Sequence, residues 1–216
     1  MPAAYVMAAY RTPGTRARKG PFKDVRPDDL AAAAIRGLVE KTGVDPAEIE
    51  DVILGCAFPE GEQGMNVARI AALKAGLPVD VPGQTLNRFC SSGLQAIASA
   101  AERILAGFAH CVVAGGTESM TAVPMGGGKF SANPGLAGAW PEVYASMGIT
   151  AEIVAERHRV SREDQDAFAA ESHRRAAAAI EAGRFADETV PVEVERVALV
   201  DGKLRRSRET VAVDEG

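Results

Sequence analysis

The chain has 216 residues, 47% hydrophobic and 25% charged, a composition typical of folded soluble proteins and unlike that of disordered chains. Its 24 Lys and Arg against 29 Asp and Glu give a formal net charge of −5, so it lacks the broad positive field on which nucleic-acid binding depends. Three scattered cysteines, Cys56, Cys90 and Cys111, exclude a disulfide scaffold and point to a reducing, cytoplasmic setting, and no apolar run approaches the roughly 20 residues of a membrane span.

In chain order, the apolar run at 3–9 ends in Arg11-Thr12-Pro13-Gly14 and predicts a strand and turn. The opening Met1-Pro2-Ala3-Ala4-Tyr5 lacks the charged-then-apolar layout of a signal peptide. Residues 14–23 are basic and glycine-containing, the composition of an exposed loop. Pro27-Asp28-Asp29 opens a helix with acidic residues at its positive end, and Gly43 is placed to cap it. Val52-Ile53-Leu54 reads as a buried strand. A second, alanine-rich helix spans 65–75 and is closed by Gly76. A strand at 84–89 runs into Cys90, and Leu94, Ile97, Ala101, Ile104 and Leu105 mark a third helix ending at Gly107. Cys111-Val112-Val113-Ala114 is a short buried strand before Gly115-Gly116. This alternation predicts an α/β unit over 1–120, a parallel or mixed sheet covered by helices.

The character changes over 121–216. Pro124, Gly126-Gly127-Gly128, Asn133-Pro134-Gly135 and Gly138 predict a long loop. Helices are expected at 150–157 and 162–182, the second with Ser161 as N-cap and Gly183 as its stop. Val190-Pro191-Val192-Glu193-Val194 alternates like an exposed strand, and Val200-Asp201-Gly202-Lys203 reads as a hairpin turn. Gly126-Gly127-Gly128-Lys129 fails the phosphate-loop pattern, because position 123 is Val where that pattern needs glycine.

Cys90 is the candidate nucleophile. It stands between a strand and a helix and is followed by Ser91-Ser92-Gly93. Unpaired amides at a helix start favour negative charge and so favour a thiolate there. Those backbone amides, Cys90's own included, would also hold the oxyanion formed when sulfur attacks a thioester carbonyl. The competing reading is a buried cysteine acting as a small hydrophobe. Cys56 and Cys111, at strand boundaries, read as core residues. His110, His158 and His173 share no spacing that would bring them onto Cys90.

Asn87-Arg88-Phe89-Cys90-Ser91-Ser92-Gly93-Leu94-Gln95-Ala96 resembles the nucleophile motif of the thiolases. Gly115-Gly116-Thr117-Glu118-Ser119-Met120 is similar to the glycine-rich segment after the next strand of that family. Met147-Gly148-Ile149-Thr150-Ala151-Glu152 and Ser161-Arg162-Glu163-Asp164-Gln165-Asp166-Ala167-Phe168-Ala169 resemble the helical insertion over the coenzyme A site, and Arg11-Thr12-Pro13 fits as well. The resemblance covers essentially the whole chain. It implies a thiolase-like α/β/α layering with a mixed sheet in 1–120, and an incomplete covering domain in 121–216.

The resemblance also implies an activity. Cys90 would attack a 3-ketoacyl-CoA, release acetyl-CoA and hold the shortened acyl chain until coenzyme A collects it, with coenzyme A and acyl-CoA as substrates and no metal or cofactor. The string 123–128 and the closing Val213-Asp214-Glu215-Gly216 look like degradative thiolases. Ser146 stands where many acetoacetyl-CoA thiolases carry histidine, which disfavours that alternative. A noncatalytic acyl-CoA-binding relative is the other alternative. Met147 resembles a residue lining the acyl pocket, its competing reading being a helix-entry core contact. The basic run 203–208 reads as a solvated hairpin face, with coenzyme A phosphates as an alternative ligand. A homodimer or homotetramer is expected of the intact enzyme. The family's later motifs, a histidine in Gly-His-Pro, an asparagine in Asn-Glu-Ala-Phe and a second cysteine near a Gly-Gly-Gly turn, do not occur in these residues, so the chain is expected to be the amino-terminal portion of a thiolase.

Overall fold

The computed structural model describes residues 3–215. Helix α1 (Pro27–Thr42) begins with Pro27, whose fixed φ suits the first turn, and carries Asp28 and Asp29 there. It ends at Gly43, whose φ of 66° turns the chain out of the helix. Strand β1 (Asp51–Gly55) is buried along its whole length. Helix α2 (Val67–Ala75) is capped by Asn66, which accepts from the Arg69 amide, and ends at Gly76. Strand β2 (Gly83–Leu86), helix α3 (Ser92–Leu105) and strand β3 (Val112–Gly116) follow.

The three strands form one parallel sheet in the order β2-β1-β3. Alternation along β1 sorts the core into two layers. Val52 and Leu54 pack with Ala31 and Ile35 of α1 and Ala68, Ala71 and Ala72 of α2. Ile53 faces the other way, against Ala96 and Ala100 of α3 with Leu86, Val112 and Ala114. The result is the α/β/α layering expected, with an all-parallel sheet among the described residues.

The strand expected at 3–9 is absent. Tyr5, Val6 and Met7 are exposed, and the single bridge Arg11↔Thr189 lies just beyond the run. A strand exists only through a ladder of partners, and among the described residues this run meets none. Strand β2 also stops at Leu86, three residues before the expected end, because the backbone turns at Asn87–Phe89.

The boundary expected at 120/121 differs from the compact units observed. One unit runs to Gly128 and resumes over Phe185–Glu215; the other is Lys129–Arg184. The returning segment forms an antiparallel hairpin of β4 (Val192–Val200) and β5 (Lys203–Val211), turning at Asp201-Gly202 as expected. Val192, Val194 and Val211 bury against Phe22, and Gly37 of α1 leaves room for Val190, whose methyls a Cβ there would meet at 2.5–2.6 Å. Arg11 pairs with Glu188 and Asp214, and the Arg16 side chain with Glu215. Apolar burial and these ion pairs bind 185–215 to the first unit.

The second unit holds α4 (Pro134–Ala139), α5 (Met147–His158) and α6 (Arg162–Glu181). Helix α4 lies where a loop was expected: the Asn133 side chain accepts from the Leu136 amide and Pro134 occupies the first turn, enough to start one despite the glycines. Ser146 and Ser161 cap α5 and α6 through the amides of Ile149 and Asp164. No helix among the described residues is long and apolar enough to cross a membrane.

Candidate active site

Leaving β1, the chain passes to α2 on one face of the sheet; leaving β2, it passes to α3 on the other. Neighbouring parallel strands whose connections part in this way open a crevice beyond their carboxyl ends, where ligands of open α/β sheets bind. Cys90 sits there, exposed, in a short 3-10 turn (Phe89–Ser91) that feeds α3.

The turn is held by local hydrogen bonds. Phe89 has φ 47°, a left-handed conformation costing a residue with a Cβ about 1–2 kcal/mol. The Phe89 amide donates to Asn87 Oδ1 at 2.8 Å. Ser92 Oγ accepts from the Arg88 amide at 2.9 Å and donates to the Phe89 carbonyl at 2.6 Å, closing the loop across Cys90. The start of α3 rests directly on the sheet: a Cβ at Gly55 would stand 2.5 Å from the Ser92 carbonyl oxygen and 2.6 Å from Ser92 Cβ. Gly55 is therefore a packing requirement of the site.

The loops after β1 and β3 form the adjoining wall. Glu118 Oε2 accepts from the Ala57 amide at 2.6 Å, and Oε1 accepts from the Gln63 side-chain amide. Gln63 is fully buried; it also donates to the Phe58 carbonyl at 2.9 Å, and its Oε1 accepts from the Ser119 amide at 2.9 Å. The Asn87 side-chain amide donates to the Ala57 carbonyl at 2.9 Å, and the Phe58 and Phe89 rings lie 5.9 Å apart. Gln63 was not visible as a site residue in the sequence, and Asn87 and Glu118 were visible only as motif letters. For Asn87 a local signal existed, since asparagine readily accepts from the amide two residues on.

The remaining cysteines are core residues. Burial, and then the Glu118 carboxylate, push the Cys56 thiol up to about 11. Cys111 is partly buried and packs on the main core, and burial raises its pKa as well. His110, His158 and His173 are all exposed. Met147 opens α5 in the second unit with an exposed side chain, so it is not a core contact. The run 203–208 is exposed along β5, with Arg206 paired to Glu195, which agrees with a solvated hairpin face. A groove of about 670 Å³ between α1 and β4 is lined by Arg36, Gly37, Val190 and Val192, and Cys90 is not among its lining residues.

The sequence matches the family described as thiolase, N-terminal domain, over residues 4–215. The chain belongs to the thiolase family. It is 52% identical over 194 residues to a 3-ketoacyl-CoA thiolase of Bacillus subtilis, covering 90% of this chain and 50% of that protein. It is 43% identical over 215 residues to 3-ketoacyl-CoA thiolase 5, peroxisomal, of Arabidopsis thaliana, covering 98% and 46%. The fold matches the crystal structure of the Bacillus anthracis acetyl-CoA acetyltransferase with a TM-score of 0.83 at 36% identity, over 100% of this chain and 55% of that one. The chain thus spans about half the length of the curated relatives it matches.

Proposed function

We propose that this chain carries the nucleophile of a 3-ketoacyl-CoA thiolase, with Cys90 as the residue that accepts the acyl group. The observation that carries the reading is the exposed cysteine at the crevice beyond the sheet's carboxyl edge, one turn before α3, in a chain whose relatives of 43–52% identity are named 3-ketoacyl-CoA thiolase. The Cys90 thiolate attacks the 3-keto carbonyl carbon. The bond between C2 and C3 then breaks, its electron pair goes to C2, and a proton delivered there completes acetyl-CoA. The acyl remainder stays on Cys90 as a thioester, from which the thiolate of free coenzyme A displaces the sulfur to give the shortened acyl-CoA. The Ser91 and Ser92 amides donate to the Arg88 and Phe89 carbonyls, so the Cys90 amide is the proposed donor to the oxyanion of each tetrahedral intermediate.

No Gly-His-Pro and no second cysteine beside a Gly-Gly-Gly turn occur in the sequence. The groups that deprotonate Cys90 and protonate C2 are proposed to lie in the half of the relatives' length that this chain does not span. Met147 is the proposed wall of the acyl pocket, and no metal or dissociable cofactor enters the scheme. Acetoacetyl-CoA chemistry is the second reading, favoured by the structural match to an acetyl-CoA acetyltransferase. We further place the protein in the cytoplasm, in keeping with its free cysteines, and in a homodimer or homotetramer once whole. The word peroxisomal in the Arabidopsis names makes fractionation the test of the first point; sedimentation tests the second.

The chain-length question is settled by exposing the purified chain to acetyl-, butyryl- and octanoyl-CoA and mapping adducts by mass. Adducts of all three on Cys90 support the broad-chain reading. Acetyl alone supports the acetoacetyl-CoA reading. Binding of all three without any adduct, by a chain whose Cys90 iodoacetamide does alkylate, identifies a noncatalytic acyl-CoA binder.

A further inference from the structure

Phe89 holds a left-handed backbone immediately before Cys90, and a phenylalanine stays there only if neighbouring groups keep it there. Ser92 Oγ holds the Phe89 carbonyl from the α3 side, and the Asn87 side chain ties the Phe89 amide to the loop after β1. Its Oδ1 accepts from the Phe89 amide at 2.8 Å, while its Nδ2 donates to the Ala57 carbonyl at 2.9 Å. Ala57 is itself pinned, because its amide donates to Glu118 at 2.6 Å and Glu118 is held by the fully buried Gln63. A continuous set of hydrogen bonds therefore runs from the loop after β3, through the loop after β1, to the residue that sets the Cys90 turn.

We propose that Asn87 is the positioning residue of Cys90, fixing the Phe89 backbone against a wall anchored by Glu118 and Gln63. The proposal rests on Cys90 being the reacting thiol. Asn87 acts through Phe89 and takes no part in bond making. Without its Oδ1, Phe89 relaxes to negative φ, and the thiol leaves the mouth of α3.

The test compares the 216-residue chain with Asn87→Ala, Asn87→Asp and Glu118→Gln. Two quantities are read: the rate of Cys90 alkylation by iodoacetamide, mapped by mass, and the Phe89 amide-to-Hα coupling, which reports φ. Asn87→Ala is expected to slow alkylation about tenfold and to change the coupling, with α3 and the sheet intact by circular dichroism. Asn87→Asp keeps the acceptor for the Phe89 amide but loses the donor to the Ala57 carbonyl, and is expected to fall between wild type and Asn87→Ala in both rate and coupling. Glu118→Gln keeps one acceptor where two are used, by the Ala57 amide and the Gln63 side chain, and is expected to shift rate and coupling in the same direction as Asn87→Ala but by less.

A wild-type rate and coupling in Asn87→Ala overturn the proposal, as does an Asp variant as slow as the Ala variant. If Asn87→Ala does not fold, the Asp and Gln variants decide: rate and coupling must move together, and a folded variant in which they separate overturns it. Failure of acetyl-CoA to acylate wild-type Cys90 while iodoacetamide alkylates it would sink the proposed function instead and leave the alkylation comparison standing.

Discussion

Replacing Gly55 by alanine tests the contact on which the Cys90 turn rests. The added Cβ would stand 2.5 Å from the Ser92 carbonyl oxygen, a backbone atom that cannot rotate aside, so α3 or β1 has to move. Overpacking of this kind costs about 2–3 kcal/mol. The alanine returns about 0.5–1 kcal/mol by restricting the unfolded chain, since Gly55 does not occupy the left-handed region. The net loss is about 2 kcal/mol, or about 4–8 °C in Tm for a domain of this size. Gly93, in the first turn of α3, is the matched control, because the nearest atom to a Cβ there is the Gly115 carbonyl oxygen at 4.0 Å. Gly93→Ala is expected to stabilise the helix by about 0.5–1 kcal/mol, opposite in sign. Urea unfolding followed by circular dichroism measures both. A Gly55→Ala variant as stable as wild type would refute backbone-to-backbone packing of α3 on β1.

Three further outcomes follow from the same structure. Ile53, fully buried between β1 and α3, is expected to cost about 3 kcal/mol as alanine, read as a lowered urea midpoint with unchanged slope. The Arg11 guanidinium, against the opposing effect of burial and with help from the Gly14 amide, holds Asp214 below the usual carboxylate range. A carboxyl whose folded pKa is depressed stabilises above its unfolded value of about 4 and loses that contribution as pH falls through the folded one. Asp214→Asn should therefore cost about 1 kcal/mol at pH 7, discounted for the partly exposed Arg11, and should flatten the acid limb of the stability curve below pH ~4. Native-state iodoacetamide is expected to modify Cys90 first, sparing Cys56 until urea opens the core; rapid modification of Cys56 would contradict its burial.

The parts of the fold that declared themselves in the sequence are those governed by neighbours a few residues apart. Pro27 with Asp28 and Gly43 bounded α1, Gly76 closed α2, Ser161 opened α6, and Asp201-Gly202 turned the hairpin. Cys90 before a helix was equally local. What escaped depends on partners far along the chain. The run at 3–9 reads as a strand but finds no ladder among the described residues, and the attachment of 185–215 to the first unit rests on Phe22, Gly37 and Arg11, more than 140 residues away. The wall of the site shows the same division. The turn made by Asn87 is a local matter, whereas Glu118 meets Ala57 across 61 positions and Gln63 across 55, separations that no periodicity reveals.

The most direct test of the account is transfer of an acetyl group from acetyl-CoA to the purified chain, located by peptide mass mapping. The thiolase reading predicts a single acetyl thioester on Cys90, blocked by prior iodoacetamide and absent from Cys90→Ser. It also predicts no steady thiolysis of a 3-ketoacyl-CoA by these 216 residues alone. An unmodified Cys90 under saturating acetyl-CoA in a chain whose Cys90 iodoacetamide does alkylate, or equal labelling of the Cys90→Ser variant, would contradict it.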